Sequence, residues 1–254
     1  MSPPGTATAG ATRLAELLRE SQRAVVLTGA GVSVPSGIPD FRTPGKGLWE
    51  KVDPMEVAHI DAFQRDPDRF WSFYSERFAG LVDKRPNPAH EAIAELERRG
   101  IVRAVITQNV DRLHRRAGSS RVVEVHGSID TCSCPECGGR VPLDDVLELL
   151  RSGTPTPECR ACIAALKPDV VLFGELLPRQ AMAEAHALAQ EADLMLCVGS
   201  SLEVFPVAAL PGITLDAGGR IALVTQGPTP YDADADVKLD GDVVAELGAV
   251  LAAL

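Results

Sequence analysis

Six cysteines are the residues of this 254-residue chain whose type and spacing most directly suggest chemistry. Four of them form two Cys-x-x-Cys pairs, Cys134 with Cys137 and Cys159 with Cys162, and 21 residues separate the pairs. A two-residue gap lets both thiolates of a pair face one ion, which is typical of a tetrahedral Zn²⁺ site. Because four thiolates leave no position for a reacting water, we predict a structural zinc; a redox pair or free thiols are the alternatives.

The other two cysteines are predicted to have different roles. Cys132 lies next to the first pair and could compete as a zinc ligand, whereas Cys197 lies in an apolar run and is predicted to be a small buried hydrophobe. The N-terminal residues lack the positive and apolar regions of a secretory signal, so we expect a cytoplasmic protein, in which disulfides are rare.

A glycine-rich turn is the second candidate site. Gly29, Ala30 and Gly31 follow an apolar run, as a dinucleotide-binding loop does. The third glycine is displaced from its usual place, and no acidic residue closes a second strand about 20 residues later. A tight turn that serves only packing is therefore the alternative. The continuation to Phe41 and Arg42 places an aromatic ring and a guanidinium beside the turn, which favours a phosphate-binding role.

Short apolar runs alternate with helical segments along most of the chain, which predicts an α/β fold with a Rossmann-like parallel sheet covered on both faces. Ligands of such sheets bind beyond the carboxyl ends of the strands, and here the predicted strands all end in small or polar residues. One polar rim is therefore the expected site. The predicted helices span 12–23, 87–96, 179–192 and 243–254, and the predicted strands span 24–27, 101–106, 122–125, 194–198 and 221–224.

Two segments do not fit this alternation. Residues 40–83 lack strand signals and hold both tryptophans, and residues 131–166 hold five of the six cysteines. We interpret both as insertions that form a smaller lobe, a helical insert beside a zinc-ribbon module.

The composition excludes two classes of function. The net charge of −10 argues against a nucleic-acid binder that acts through bulk charge. No apolar run approaches the ~18 residues of a membrane span. We therefore expect a protein that binds neither nucleic acid nor membrane.

Six segments, in order and from about Leu14 onward, resemble the sirtuins, which are NAD-dependent protein lysine deacylases. They are GAGVSVPSGIPDFR (29–42), TQNVDRLH (107–114), HG (126–127), the paired Cys-x-x-Cys, KPDVVLFGE (167–175) and VGSSLEVFP (198–206). The resemblance implies an NAD-binding domain of residues 1–40, 85–129 and 168–254. It also implies a small domain made of a helical module (41–84) and a zinc module (130–167).

The resemblance also implies how NAD is held. The glycine loop cradles the pyrophosphate through backbone N–H groups, Gln108 binds the nicotinamide ribose, and Asn109 and Asp111 grip the carboxamide as donor and acceptor. Phe41 shields C1′ after nicotinamide leaves, and Arg42 lies near the phosphates. The full implied set is Gly29, Ala30, Gly31, Ser33, Ile38, Asp40, Phe41, Arg42, Gln108, Asn109, Asp111, Gly199, Ser200, Ser201 and Thr225.

His126 matches the general base of the family, since a neutral imidazole can accept a ribose hydroxyl proton. His114 is interpreted as an ordinary helix-side residue. The implied reaction transfers the acyl group from lysine to ADP-ribose and releases nicotinamide, with NAD consumed as co-substrate. Val170, Phe173 and Gly174 resemble the edge along which a substrate peptide adds as a strand, with Phe173 lining the lysine tunnel; the residues alone indicate a buried strand.

The sequence departs from the family pattern at Thr225, where an Asn-containing turn is usual near the adenosine. A second feature is the Tyr74-x-x-Arg77 pair, whose members share a helix face and resemble the pair of the branch that removes acidic acyl groups. A guanidinium and a phenol suit the carboxylate of succinyl or malonyl lysine. The alternative is that Tyr74 packs with Phe70 and Phe78 while Arg77 is solvated.

The expected partners are acyl-lysine proteins or peptides, bound by a monomer. Two other functions stay open on the residues alone. One is an ADP-ribosyltransferase that uses the same NAD pocket. The other is a zinc-ribbon binding module with an inactive nucleotide fold, which would not need to retain His126, Asn109 and Asp111 together.

Overall fold

A computed structural model describes residues 8–40 and 53–254. The helices are α1 (Ala9–Glu20), α2 (Pro54–Val57), α3 (Ile60–Arg65), α4 (Pro67–Val82), α5 (Pro88–Arg98), α6 (Leu113–Arg116), α7 (Leu143–Arg151), α8 (Arg179–Glu191), α9 (Leu210–Asp216) and α10 (Val243–Ala253), with 3₁₀ helices over Ala30–Ser36 and Val207–Ala209. The strands are β1 (Ala24–Thr28), β2 (Val102–Thr107), β3 (Val122–Glu124), β4 (Gly127–Ser133), β5 (Arg140–Pro142), β6 (Lys167–Val170), β7 (Leu194–Val198), β8 (Arg220–Val224) and β9 (Val237–Leu239).

The main sheet has six parallel strands in the order β3-β2-β1-β7-β8-β9, which confirms the predicted fold class. Alternate residues of each strand enter two separate cores, so Val26 packs on one face and Leu27 on the other. Helices α1, α5 and α10 cover the first face, and α8 and α9 cover the second. The strand order reverses between β1 and β7, which is where open α/β sheets bind their ligands.

Helix α1 begins three residues earlier than predicted. The Thr8 hydroxyl accepts a hydrogen bond from the Ala11 amide and so caps the helix at that point. At the other end, the Asp193 carboxylate accepts the amides of Gln22 and Arg23, which holds the chain in the turn that leads into β1. Among the described residues, no helix combines the length and apolar character that crossing a bilayer requires.

The small lobe is built on an antiparallel sheet in the order β5-β4-β6. Its core joins aromatic residues of α3 and α4 to β4 and α7, and the buried Trp71 indole donates to the Leu166 carbonyl at 3.0 Å. Gly127 pairs with Val170, so this sheet begins before residue 130 and extends past 167. The predicted domain bounds, with a zinc module of residues 130–167, stay a prediction.

Candidate active site

Two glycine loops meet at the reversal point of the sheet. The Gly29 amide donates to the Val198 carbonyl at 3.0 Å, and the Gly31 amide donates to the Gly199 carbonyl at 2.8 Å. Gly199 has a φ of +60°, and a Cβ there would lie 2.3 Å from the Val32 nitrogen. Glycine is therefore required for this close approach. The Gly31 amide, predicted to face a phosphate, is engaged in holding the two loops together.

A buried polar cluster lies beside these loops. The Asn109 amide nitrogen Nδ2 donates to the Gly29 carbonyl and to Ser33 Oγ, both at 3.1 Å. The Ser33 hydroxyl donates to Asp111 Oδ2 at 2.6 Å, and the other oxygen of Asp111 accepts the Leu113 amide. Since both hydrogens of Asn109 Nδ2 are engaged, its Oδ1 is the amide atom left for a ligand. The role of Asn109 toward a carboxamide stays a prediction.

His126 has one ring nitrogen fixed and one available. Its Nδ1 lies 2.9 Å from the Gln108 carbonyl oxygen, which can only accept, so Nδ1 carries a hydrogen. In the neutral ring Nε2 then keeps its lone pair. Burial lowers the pKa of the half-buried ring, and the hydrogen bond to Gln108 opposes that effect. The Gln108 side chain donates to Ser200 Oγ at 3.0 Å. The structure thus brings the predicted base and the predicted ribose-binding residue to one rim.

The segment that follows β6 is held by several backbone hydrogen bonds. The Val171 amide donates to the His126 carbonyl, and the Phe173 amide to the Ala58 carbonyl, both at 2.9 Å. Strand β6 ends at Val170, and Phe173 is 43% exposed, so the interpretation of this run as a buried strand is wrong. Gly174 has a φ of +84°, which favours glycine.

An ion pair braces the same segment. Lys167 Nζ lies 3.0 Å from Glu175 Oε2 and also donates to the Pro168 and Val170 carbonyls, and the Glu175 carboxylate accepts the Leu172 amide at 2.8 Å. Both side chains are mostly buried. This ion pair has no role predicted from the sequence.

The four cysteines predicted to bind zinc lie together. Their Sγ atoms all fall within 4.8 Å of one another, and the Cys134–Cys162 and Cys137–Cys159 pairs are 3.3 and 3.6 Å apart. Tetrahedral Zn–S bonds of about 2.3 Å place thiolates about 3.8 Å apart, so the cluster fits the ion. Four thiolates close the coordination sphere, which confirms that these residues are placed to hold a structural zinc.

The two knuckles of this site share one backbone pattern. The Gly138 amide donates to the Cys134 carbonyl at 2.9 Å, and the Ile163 amide donates to the Cys159 carbonyl at 2.8 Å. Gly138 has a φ of +71° and Ile163 a φ of +59°. The second knuckle therefore places a β-branched side chain, 73% exposed, in the left-handed conformation that suits glycine.

The two remaining cysteines lie outside the metal cluster. Cys132 is fully buried in the core of the small lobe, where burial raises the pKa of its thiol to about 12. Cys197 is buried in β7, as predicted, and burial raises its pKa as well. Neither is poised to act as a thiolate ligand.

Tyr74 and Arg77 lie on α4. The Tyr74 ring packs between Phe70 and Phe78, at centroid distances of 4.6 and 5.1 Å, as the packing alternative predicted. Burial raises the pKa of its hydroxyl to about 12, so the phenol stays protonated. The Arg77 guanidinium lies 3.5 Å from the Phe73 ring centroid, and among the described residues it has no carboxylate partner.

The other predicted residues lie along the same rim or beyond the described ranges. Ile38 and Asp40 follow the 3₁₀ helix, and Ser201 follows β7. Thr225 is buried at the end of β8, where its amide donates to the Leu239 carbonyl at 3.0 Å. Phe41 and Arg42 lie outside the described residues.

Two histidines and two threonines beneath this rim were not predicted as functional from the sequence. His90 and His114 are buried, and they contact Ser33 and Thr28 respectively; the Thr28 hydroxyl donates to that of Thr107 at 2.8 Å. The sequence gives one signal for His90, which is its position three residues after the helix cap Asn87. His114 was noted only as a helix-side residue.

Comparison with known proteins agrees with this architecture. A model described as "Sir2 family" matches residues 29–206. An NAD-dependent protein deacetylase of Thermotoga maritima is 44% identical over 90% of this chain and 92% of its own, and an NAD-dependent protein deacylase 2 of Archaeoglobus fulgidus is 50% identical over 90% of each.

Solved structures agree as well. A Sir2 structure bound to acetylated peptide superposes with a TM-score of 0.87 at 41% identity, covering 94% of this chain and 96% of that one. A second, with a deacetylated p53 peptide and 3′-O-acetyl ADP ribose, gives a TM-score of 0.90 at 43% identity, with the same coverage of both chains. Matched in sequence over most of its length and in fold over nearly all of it, the chain belongs to the Sir2 family.

Proposed function

We propose that this chain is an NAD-dependent protein lysine deacylase that releases nicotinamide and O-acyl-ADP-ribose. The observation that carries the proposal is the orientation of His126, whose Nδ1 donates to the Gln108 carbonyl and so leaves Nε2 as the accepting nitrogen of the neutral ring. Relatives named as NAD-dependent deacetylases and deacylases support the reaction class, and Sir2 structures bound to acetylated and propionylated peptides support acyl-lysine peptides as the substrate class.

In this proposal the acyl oxygen of the substrate lysine attacks C1′ of the ribose as the bond to nicotinamide breaks. Asn109 Oδ1 and the Asp111 carboxylate accept hydrogens from the carboxamide NH₂, because the Asn109 donors are already engaged. His126 Nε2 then accepts a proton from a ribose hydroxyl, whose oxygen attacks the acyl carbon. The bond from that carbon to the lysine nitrogen breaks, the amine leaves with a proton, and water adds, so that the acyl group stays on the ribose and C1′ keeps a hydroxyl. The proton on Nδ1 stays bonded to the Gln108 carbonyl, which keeps the base in one tautomer.

The test measures nicotinamide released from NAD with and without an acetylated peptide, and follows the acyl group by mass spectrometry. We expect peptide-dependent release and acyl-ADP-ribose from the native chain. The His126→Ala variant should lose 10²–10⁴-fold in acyl transfer, the contribution of a positioned base. His186→Ala is the matched control, since His186 is exposed on α8. Label from NAD remaining on the peptide would instead indicate an ADP-ribosyltransferase, and no nicotinamide release with any acyl peptide would indicate an inactive fold.

We extend the proposal to succinyl and malonyl lysine through Tyr74 and Arg77. Arg77 supports it because its guanidinium has no carboxylate partner among the described residues, and Tyr74 supports it as a protonated donor. The packing of Tyr74 against Phe70 and Phe78 weighs on the other side. Replacing Tyr74 by Phe and Arg77 by Met is expected to depress desuccinylation far more than deacetylation. Equal losses on the two peptides would contradict a carboxylate clamp.

We also propose that the chain acts as a monomer in the cytoplasm and does not bind nucleic acid. The net charge of −10 supports the last point. Sedimentation at micromolar concentration tests the first, since a mass near 26.9 kDa is expected for a single chain.

A further inference from the structure

We propose that two buried histidines, His90 and His114, are positioning residues that fix the hydrogen-bond directions of Asn109 and Asp111. The proposal rests on the function proposed above, because these two residues are assigned there to the nicotinamide carboxamide. Among the described residues, neither histidine has a hydrogen bond to Asn109 or Asp111. Each acts through hydroxyl groups, and the donors and acceptors can be followed atom by atom.

His90 is the first member of the network. It occupies the third position of α5, where its Nδ1 accepts the Asn87 amide at 3.4 Å and completes a capping box. A nitrogen that accepts carries no hydrogen, so Nε2 is the protonated nitrogen. The 3.3 Å contact between Nε2 and Ser33 Oγ is therefore a hydrogen bond that His90 donates.

Ser33 links the tautomer of His90 to the hydrogen bonds of Asn109 and Asp111. A hydroxyl offers one hydrogen and two lone pairs. Ser33 Oγ accepts from His90 Nε2 and from Asn109 Nδ2, so its single hydrogen goes to Asp111 Oδ2 at 2.6 Å. A ring of the other tautomer would compete for that hydrogen and leave Asp111 without a donor. His90 thereby keeps Asp111 an acceptor and holds Asn109 with Oδ1 free.

His114 is linked to the backbone amide of Asn109 in a similar way, through the hydroxyls of Thr28 and Thr107. Thr107 Oγ1 accepts the Asn109 amide at 3.1 Å and the Thr28 hydroxyl at 2.8 Å. Since the Thr28 hydrogen is engaged, the 2.9 Å contact between Thr28 Oγ1 and His114 Nε2 requires a hydrogen on Nε2. The other nitrogen of His114, Nδ1, is buried and has no partner among the described residues.

Both rings must be neutral for these directions to hold. They lie edge to face at a centroid distance of 4.9 Å, and the titratable groups that face them are Asp111 and the other histidine of the pair. A second proton on His90 Nδ1 would face the Asn87 N–H, and one on His114 Nδ1 would be a buried donor without an acceptor. Burial lowers the pKa of His90 to about 4 and that of His114 to about 3, which agrees with neutral rings.

A measurement that needs neither substrate tests the geometry. In ¹⁵N-histidine-labelled protein, the ring shifts report charge and tautomer. We expect His90 and His114 to be neutral, with the hydrogen on Nε2, at pH 7 and at pH 5. His186, which is exposed, serves as the comparison ring. A hydrogen on Nδ1 of either buried ring, or charge on it at pH 5, overturns the proposal without bearing on whether the chain is a deacylase.

Paired variants test the consequence. His90→Gln keeps an N–H donor where Nε2 lies, whereas His90→Leu removes it. We expect His90→Leu to weaken the equilibrium binding of NAD, measured by calorimetry, about tenfold, the loss of one buried hydrogen bond, and His90→Gln to stay within about threefold of the native chain. Binding of the acetylated peptide should change in neither. Equal losses of NAD affinity in the two variants, or none in either, would overturn a role through the donated hydrogen bond.

Calorimetry of His114→Gln and His114→Leu tests the role of His114 in the same way, with His186→Leu as the control. Chemical denaturation of each variant shows that the compared proteins are folded. Wild-type nicotinamide release is measured alongside. If the wild type is active and the Gln and Leu variants are indistinguishable, the positioning role fails while the proposed function stands.

Discussion

Replacing Ile163 by glycine is predicted to stabilise the zinc module. Ile163 and Gly138 occupy equivalent places in the two knuckles, each in the left-handed region and each donating its amide to a cysteine carbonyl. A residue with a Cβ loses about 1–2 kcal/mol in that conformation. Replacement by glycine removes this cost, but about 0.5–1 kcal/mol of the gain is lost because glycine has more conformational freedom in the unfolded chain. Because Ile163 is 73% exposed, its side chain adds little packing energy.

The expected net gain for Ile163→Gly is therefore about 0.5–1 kcal/mol. At about 2–4 °C per kcal/mol for a protein of this size, the unfolding temperature should rise by roughly 1–4 °C. Zinc loss to a chelator, followed by metal-dye absorbance, should slow in parallel, since metal binding and folding of such modules are coupled.

Gly138→Ala is the matched control. None of the described atoms lies within 4 Å of a Cβ built at Gly138, so the substitution adds only the energetic cost of the left-handed backbone conformation. This variant should lose about 1 kcal/mol and release zinc faster. If Ile163→Gly is neutral or destabilised while Gly138→Ala behaves as expected, the Ile163 side chain makes a contact worth more than the backbone strain, and the reasoning fails.

Three further predictions follow from groups at or beneath the rim. Burial lowers the pKa values of His90 and His114 below 6.5, so as the pH falls from about 6.5 toward 4 the unfolded chain takes up protons that the folded chain does not. The free energy of unfolding should then drop by up to about 1.4 kcal/mol per pH unit for each ring, and that of His114→Gln should depend less steeply on pH than that of the native chain. Burial also lowers the pKa of His126, so the acid limb of kcat/KM for deacetylation should lie below pH 6.5; a limb above 6.5 would contradict a neutral, buried base. Glu175→Gln, which breaks the mostly buried pair with Lys167, should raise the KM for acetylated peptide about tenfold while leaving that for NAD unchanged, and a rise confined to NAD would contradict the bracing role.

The sequence predicts the parts of the fold that depend on continuous apolar runs. Strand β7 agrees with its predicted range residue for residue, because every side chain from Leu194 to Val198 is buried. The start of α1 was missed because a cap at Thr8 depends on one side-chain hydrogen bond and not on periodicity. The strands of the small sheet were missed because β5 and β6 are short and their burial is mixed.

For the site, residue types were easier to predict than hydrogen-bond directions. The four zinc-binding cysteines follow from spacing alone, since a knuckle is a local structure. The contacts of the Asn109 amide hydrogens could not be predicted from sequence, because they depend on Gly29 and Ser33, which lie about 80 residues away along the chain. The segment after Val170 looked like a strand because it is apolar, yet tertiary hydrogen bonds to the carbonyls of Ala58 and His126 hold it in an irregular path.

His126 belongs to two hydrogen-bonded paths at once. Its ring is hydrogen-bonded to the Gln108 carbonyl, in the loop proposed to bind the nucleotide, and its own carbonyl accepts the Val171 amide, in the segment proposed to bind the peptide. A movement of the Gln108 loop therefore displaces His126 and with it the Val171 segment, and a movement of that segment displaces His126 in turn. Such a connection has a thermodynamic counterpart: whatever factor a bound peptide contributes to the affinity for NAD, NAD contributes the same factor to the affinity for the peptide.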